Sequence, residues 1–218
     1  VYLWNDERSD ATLFLPGKRV KVAYVDEDGE EVEQDYVVPN ENQCGNCHER
    51  NDVSFLLGVH TRQLNHETDD GDNQLEVLAK AGLFDRELPP LDELPALAHP
   101  AGDAPLEQRA RAWLETNCAH CHRPGGGGGS SGLTLLASEE DPSRYGVCKS
   151  PVAAGEGSGA LEYDIVPGRP DESIAIFRME SDDPEIRMPE LPVLTADPFG
   201  TPLVREWIAA METMGCPR

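Results

Sequence analysis

Apolar and polar positions alternate with a period of two near the start of the chain. Val20, Val22 and Tyr24 fall on one face of a predicted strand, and Glu31 to Val38 forms a second that stops at Pro39. The turn Asp26-Glu27-Asp28-Gly29 lies between them, so residues 1–40 read as an N-terminal β-hairpin cap. Beyond it the period lengthens to that of a helix. Asp72 is placed as the N-cap of a short helix over Asn73 to Ala81, with Leu75, Leu78 and Ala79 on its apolar face and Gly82 ending it. The proline-rich stretch Leu88 to Pro105 reads as an extended connector. Pro105 then opens a helix that runs into Cys118 with Leu106, Ala110, Trp113 and Leu114 on one side. Another helix is opened by Asp171, with Ile174 and Phe177 inward and Met179 in the core. A last one starts at Thr201 and Pro202, carries Val204, Trp207, Ile208 and Met211 at helical spacing, and closes at Gly215. The helices that carry Trp113 and Trp207 have matching apolar faces and are expected to cross, with both indoles, Met211 and Met214 in the core.

Two copies of a five-residue pattern change the picture: Cys44-Gly-Asn-Cys47-His48 and Cys118-Ala-His-Cys121-His122. Thiols one helical turn apart share a face, where they can add to the two vinyl groups of one porphyrin, and the adjacent histidine reaches the iron. The pattern is that of c-type haem attachment, and two copies predict two covalently attached haem c groups. Zinc held by the four thiols is the alternative, but it leaves the histidine after each pair unexplained, and the pairs are far apart in sequence. The fold expected on this basis is mainly α: two small c-type haem-binding helical regions, an N-terminal β-hairpin cap and extensive loops. Residues 1–40 form the cap, 41–104 the first haem region and 105–218 the second. The run Gly125 to Gly129, extended by Ser130, Ser131 and Gly132, reads as a mobile surface loop rather than a haem contact, and it lacks the lysine and hydroxyl of a phosphate loop.

The 218 residues suffice for one good core or two small ones, and no apolar run approaches the length of a membrane span. The chain starts at Val1 with no export signal before it, which reads as a mature or trimmed product. Haem attachment through thioethers and the remaining cysteines place it in the periplasm or outside the cell. Of the 6 cysteines, Cys148 and Cys216 are left over, and an even remainder in an exported protein predicts a disulfide between them. A net charge of -23, with lysines only at 18, 21, 80 and 149, excludes nucleic acid and anionic membrane surfaces as partners. It favours redox partner proteins with basic docking surfaces.

The C-terminal half resembles class I cytochrome c domains, through Cys118-Ala-His-Cys121-His122, Ile165-Val-Pro-Gly168, Ser173-Ile-Ala-Ile-Phe-Arg178, Met188-Pro189 and the final helix with Trp207-Ile208. The whole chain is similar to a family of largely uncharacterised bacterial di-haem c-type proteins, on Tyr2-Leu-Trp-Asn5, Thr61-Arg-Gln-Leu-Asn65 and Arg109-Ala-Arg-Ala112. Members of that family extend further upstream, so an N-terminal strand partner is expected outside this sequence. The resemblance implies Met188 as distal ligand of the second haem, opposite His122. For the first haem, opposite His48, no methionine occurs between His48 and Met179; the candidates are His60, His66, His99 and Met179, with His60 preferred. His120 is set aside as too close to its own motif's proximal ligand.

The leading expectation is an electron carrier with two ligands on each iron. The alternatives are a peroxidase-like enzyme with an open first site, and a haem-stacking subunit of an oligomer or filament.

Overall fold

The computed structural model describes residues 1–26, 29–51, 53–54, 57–68, 70–152, 155–192 and 194–217. Two hairpins open the chain: β1 (Tyr2–Trp4) pairs antiparallel with β2 (Ala11–Leu13), and β3 (Lys18–Val25) with β4 (Glu31–Val38). Along β3, Val20 and Val22 are half-buried while Lys21 and Ala23 are exposed, the alternation of a sheet covered on one side. Tyr24 has left that cover, at 46% exposure. Of the expected turn, Glu27 and Asp28 lie outside the described residues; on its flanks the Gly29 amide donates to the Asp26 carbonyl at 3.1 Å. The cap is fastened to a distant loop. The Val37 amide donates to the Pro192 carbonyl at 2.8 Å, and the Thr195 hydroxyl donates to Gln34 Oε1 at 3.1 Å.

Helix α1 (Glu41–His48) starts at a capping box. Asn40 Oδ1 accepts the Gln43 amide at 2.9 Å, and Gln43 Oε1 accepts the Asn40 amide at 3.0 Å. A minimal ladder of β5 (Glu49–Arg50) and β6 (Val53–Ser54), then α2 (Thr61–Leu64) and α3 (Gln74–Lys80), complete this segment. The cap of α3 is Asn73, whose side chain accepts the Leu75 amide at 2.9 Å, rather than the expected Asp72. Asn73 wins because its amide also donates to Asn65 Oδ1 at 2.9 Å. Asn65 in turn donates to the Leu91 and Leu94 carbonyls at 3.0 and 3.1 Å, so the connector is tied down by side-chain amides.

The core is built from α4 (Leu106–Asn117), α5 (Ile174–Glu180) and α6 (Gly200–Ala210). Ala110, Trp113 and Leu114 of α4 meet Leu203, Val204, Trp207 and Ile208 of α6, as their spacing predicts. A Cβ on Gly200 would sit 1.9 Å from Trp113, so the indole lies directly on the α6 backbone. Trp207 meets Tyr145 edge-on, with ring centroids 5.9 Å apart. Met179 is buried in this core, as expected. Several expected details shift. Ser173 precedes α5, while Asp171 sits in a 3-10 turn, Pro170–Glu172, and pairs with Arg205. Helix α6 stops at Met211 as its C-cap, so Gly215 does not end it, and Met214 is 55% exposed rather than in the core. Cys148 and Cys216 form the expected disulfide, 68 residues apart, and Tyr163 Oη donates to the Pro217 carbonyl at 2.6 Å.

The expectation of a mainly α fold with two haem-binding helical regions is overturned: the structure is 30% helix and 15% strand. The physical reason lies in composition. The stretch from Cys118 to Ser173 holds 11 glycines and 5 prolines, and most of its described residues are turn, 3-10 helix and irregular backbone, while α1–α3 have eight residues or fewer. The extensive loops were expected. No helix among the described residues is long and apolar enough to cross a membrane.

Candidate functional site

The first motif lies on α1. Cys44 and Cys47 are one turn apart on it, with the Cys44 thiol donating to the Asn40 carbonyl at 3.3 Å, and His48 is exposed at its last position. No residue of α1 is buried, so the helix has no core of its own. The second motif starts where α4 stops. Cys118 is the C-cap, and the Cys121 and His122 amides both donate to its carbonyl, at 3.1 and 2.9 Å. That turn keeps the thiol spacing of a helix where the helix itself has ended. Burial pushes the Cys118 thiol up to about 12.

The two motifs meet. Cys47 Sγ lies 3.5 Å from Cys121 Sγ, and the Cys121 thiol is 3.3 Å from the Asn46 carbonyl. The Cys121 contact and the His120 ring both lower the Cys47 thiol from its ordinary value, while Cys121 is raised by the same contact. Donor atoms of Cys47, His120 and Cys121 all lie within 4.8 Å of one another.

A glycine run fills the junction. A Cβ on Gly127 would fall 2.3 Å from the Asn46 carbonyl oxygen, one on Gly126 2.4 Å from that of Cys121, and one on Gly125 2.4 Å from Asn51 Oδ1. Gly128 lies against the His122 ring, where a Cβ would be 3.0 Å away. The run lies at the surface, as expected, with Gly125 and Gly127 exposed, but at Gly127 the backbones of the two motifs approach too closely for any side chain.

Cys47, Cys118, His120, Cys121, His122 and Met188 line one cleft, of about 180 Å³ enclosed and about 730 Å³ with its open mouth. Met188 is anchored from α5, its amide donating to the Arg178 carbonyl at 2.9 Å. His122 is nearly buried. Desolvation first, and the nearby Arg178, His120 and Lys149 charges next, push it down to about 4, so its imidazole is neutral. Its Nδ1 lies 3.2 Å from Ser131 Oγ. Ser131 donates its own proton to the Gly128 carbonyl at 2.6 Å, so its oxygen accepts from His122 Nδ1 and from the Leu133 amide. That network puts the proton on Nδ1 and leaves the Nε2 lone pair free.

The four residues expected opposite His48 lie in different parts of the fold. His60 is exposed before α2, its amide donating to Gln63 Oε1 at 2.9 Å, and it lines a separate cavity of about 280 Å³ with His120, Glu115 and Arg123. His66 and His99 are exposed and border another cavity with Arg62. Met179 is in the core. Arg62 Nη1 pairs with the buried Glu115 at 3.0 Å, and Glu115 also accepts the Ala137 amide at 2.7 Å, which holds α2 against α4.

Sequence reasoning missed Asn46, His120, Ser131 and the packing role of Gly126 to Gly128. The glycine run directly after the second motif was the one visible signal. His120 was set aside because only its own motif was considered, whereas the fold sets it beside Cys47. No family model, curated protein or solved structure matches the chain.

Proposed function

We propose that this protein is an exported di-haem c-type cytochrome that carries single electrons between redox partners. One haem c is held by Cys44 and Cys47 with His48 as proximal ligand, the other by Cys118 and Cys121 with His122. The observation that carries the reading is the shared cleft: the thiols of Cys47, Cys118 and Cys121, a neutral imidazole with a free Nε2 and a thioether face the same space. This donor set would suit a covalently held haem, with His122 and Met188 as the residues to hold its iron. When bound, haem supplies reversible one-electron iron chemistry at a potential set by those ligands, by burial and by hydrogen bonding.

The chain's own residues would do the rest: four thiols would anchor, His122 Nε2 and Met188 Sδ would ligate, and Ser131 orients the His122 ring. The cleft is partly open to solvent, so one edge of the bound group would stay within reach of a partner. For the first motif no distal ligand is assigned.

Intact mass and optical spectra of the exported full chain test the proposal. Two haem additions and a Soret band are expected. Replacing Cys118 and Cys121 together by alanine removes one addition, and Met188→Ala keeps both while turning the second haem high-spin. A polypeptide of unmodified mass without a Soret band overturns the proposal.

The cluster of Cys47, His120 and Cys121 favours one other reading, a thiolate and imidazole site for zinc. Metal analysis separates the two: stoichiometric zinc in a colourless chain supports the second reading, and haem iron the first.

A further inference from the structure

We infer that the second cysteine of each motif, Cys47 and Cys121, forms a seam at which the two attachment sites adjoin, so that this one chain holds its two haems as an electronically coupled pair. The inference rests on the di-haem reading proposed above. In a c-type attachment each cysteine sulfur is bonded directly to a substituent of its macrocycle. Two such sulfurs 3.5 Å apart bring the two macrocycles to adjoining edges, with no side chain between the sulfurs.

Three further contacts hold the seam shut. Gly127 packs on the Asn46 carbonyl with no room for a Cβ, the Cys121 thiol lies against that same carbonyl, and the Asn51 amide donates to the Gly125 carbonyl at 3.2 Å. The residues just before Cys47 and just after His122 are therefore fixed to each other through the backbone, although 74 residues separate the two cysteines. Of the other two cysteines, Cys44 turns to Asn40 and Cys118 caps the end of α4. The approach is thus directional, second cysteine to second cysteine. An electron that passes across the seam oxidises one ferrous iron and reduces one ferric iron, with no proton or co-reactant required. A partner docking at either site then exchanges electrons with both.

Circular dichroism across the Soret region of the exported full chain, after intact mass has verified its loading, is the test. Two haems by mass and a bisignate Soret band are expected. Variants that lack the cysteine pair of one motif should give a single-signed band. Gly127→Ala, which wedges the seam, should keep both haems by mass and cut the couplet at least twofold. Electron paramagnetic resonance of the wild type needs no variant: the fully ferric signals should be broadened and should sharpen on half-reduction. Two haems by mass with a single-signed wild-type band and no sharpening on half-reduction would overturn the seam and leave the electron-carrier reading standing. A chain without two haems would overturn that reading itself, and the seam with it.

Discussion

At Ser131 one hydroxyl fixes which nitrogen of His122 carries its proton, because the hydroxyl's own proton is committed to Gly128 and only its lone pairs remain to face the ring. Ser131→Ala should retain both proposed haems by mass, shift the midpoint potential of the second in a redox titration, and cost about 1 kcal/mol of stability on chemical denaturation. Burial of His122 also has a pH signature. Its folded value, about 4, lies below the ordinary 6.5, so the unfolded chain binds the proton more readily. The stabilisation is complete above pH 6.5 and is lost as the pH falls towards 4, on the order of 3 kcal/mol in all. Denaturant melts of the haem-free full chain between pH 7 and pH 4 should show that slope, and a flat profile would contradict the burial of this ring. At this scale the sequence was most legible where spacing is the message, as in the two CxxCH runs. It was mute on Ser131, nine positions beyond His122, because a hydrogen bond across a turn leaves no periodic trace.

Among the elements, α4 and α6 were readable from their apolar spacing, since a long amphipathic stripe has one way to bury itself. The β3–β4 hairpin was readable from alternation. Short helices were less so: Asn73 displaced Asp72 as the cap of α3 through a partner, Asn65, that no local pattern announces. The packing at Gly127 was hidden for a related reason, as flexible composition and tight backbone packing look alike in one dimension. The disulfide followed from cysteine parity, and its energetic weight belongs to the loop it closes. With Cys148 and Cys216 at a sequence separation of 68, opening the bridge should cost about 4 kcal/mol on the chain-entropy account. Urea unfolding with and without a thiol-free reductant measures this. Thioether-linked haem is not released by such treatment, so an accompanying loss of the Soret band would mean that the proposed attachment is wrong.

For the molecule as a whole, the net charge of -23 decides how partners arrive. Electron exchange with a small basic redox protein should slow as ionic strength rises from about 0.01 M to about 0.15 M, where the screening length falls from ~30 to ~8 Å. Stopped-flow rates that ignore salt would remove the basic-partner expectation. The mainly α reading failed at this scale because helical stripes were counted and the turns between them were not: the second motif sits in a turn at the end of α4, not within a helix. The fastening of β4 to Pro192 and Thr195 reaches further still, since the same short stretch of chain carries Met188. If Met188 holds the second haem as proposed, its grip is braced from outside by the opposite end of the polypeptide. A protease nick in the hairpin, remote from both proposed attachment sites, should then register in the Soret band.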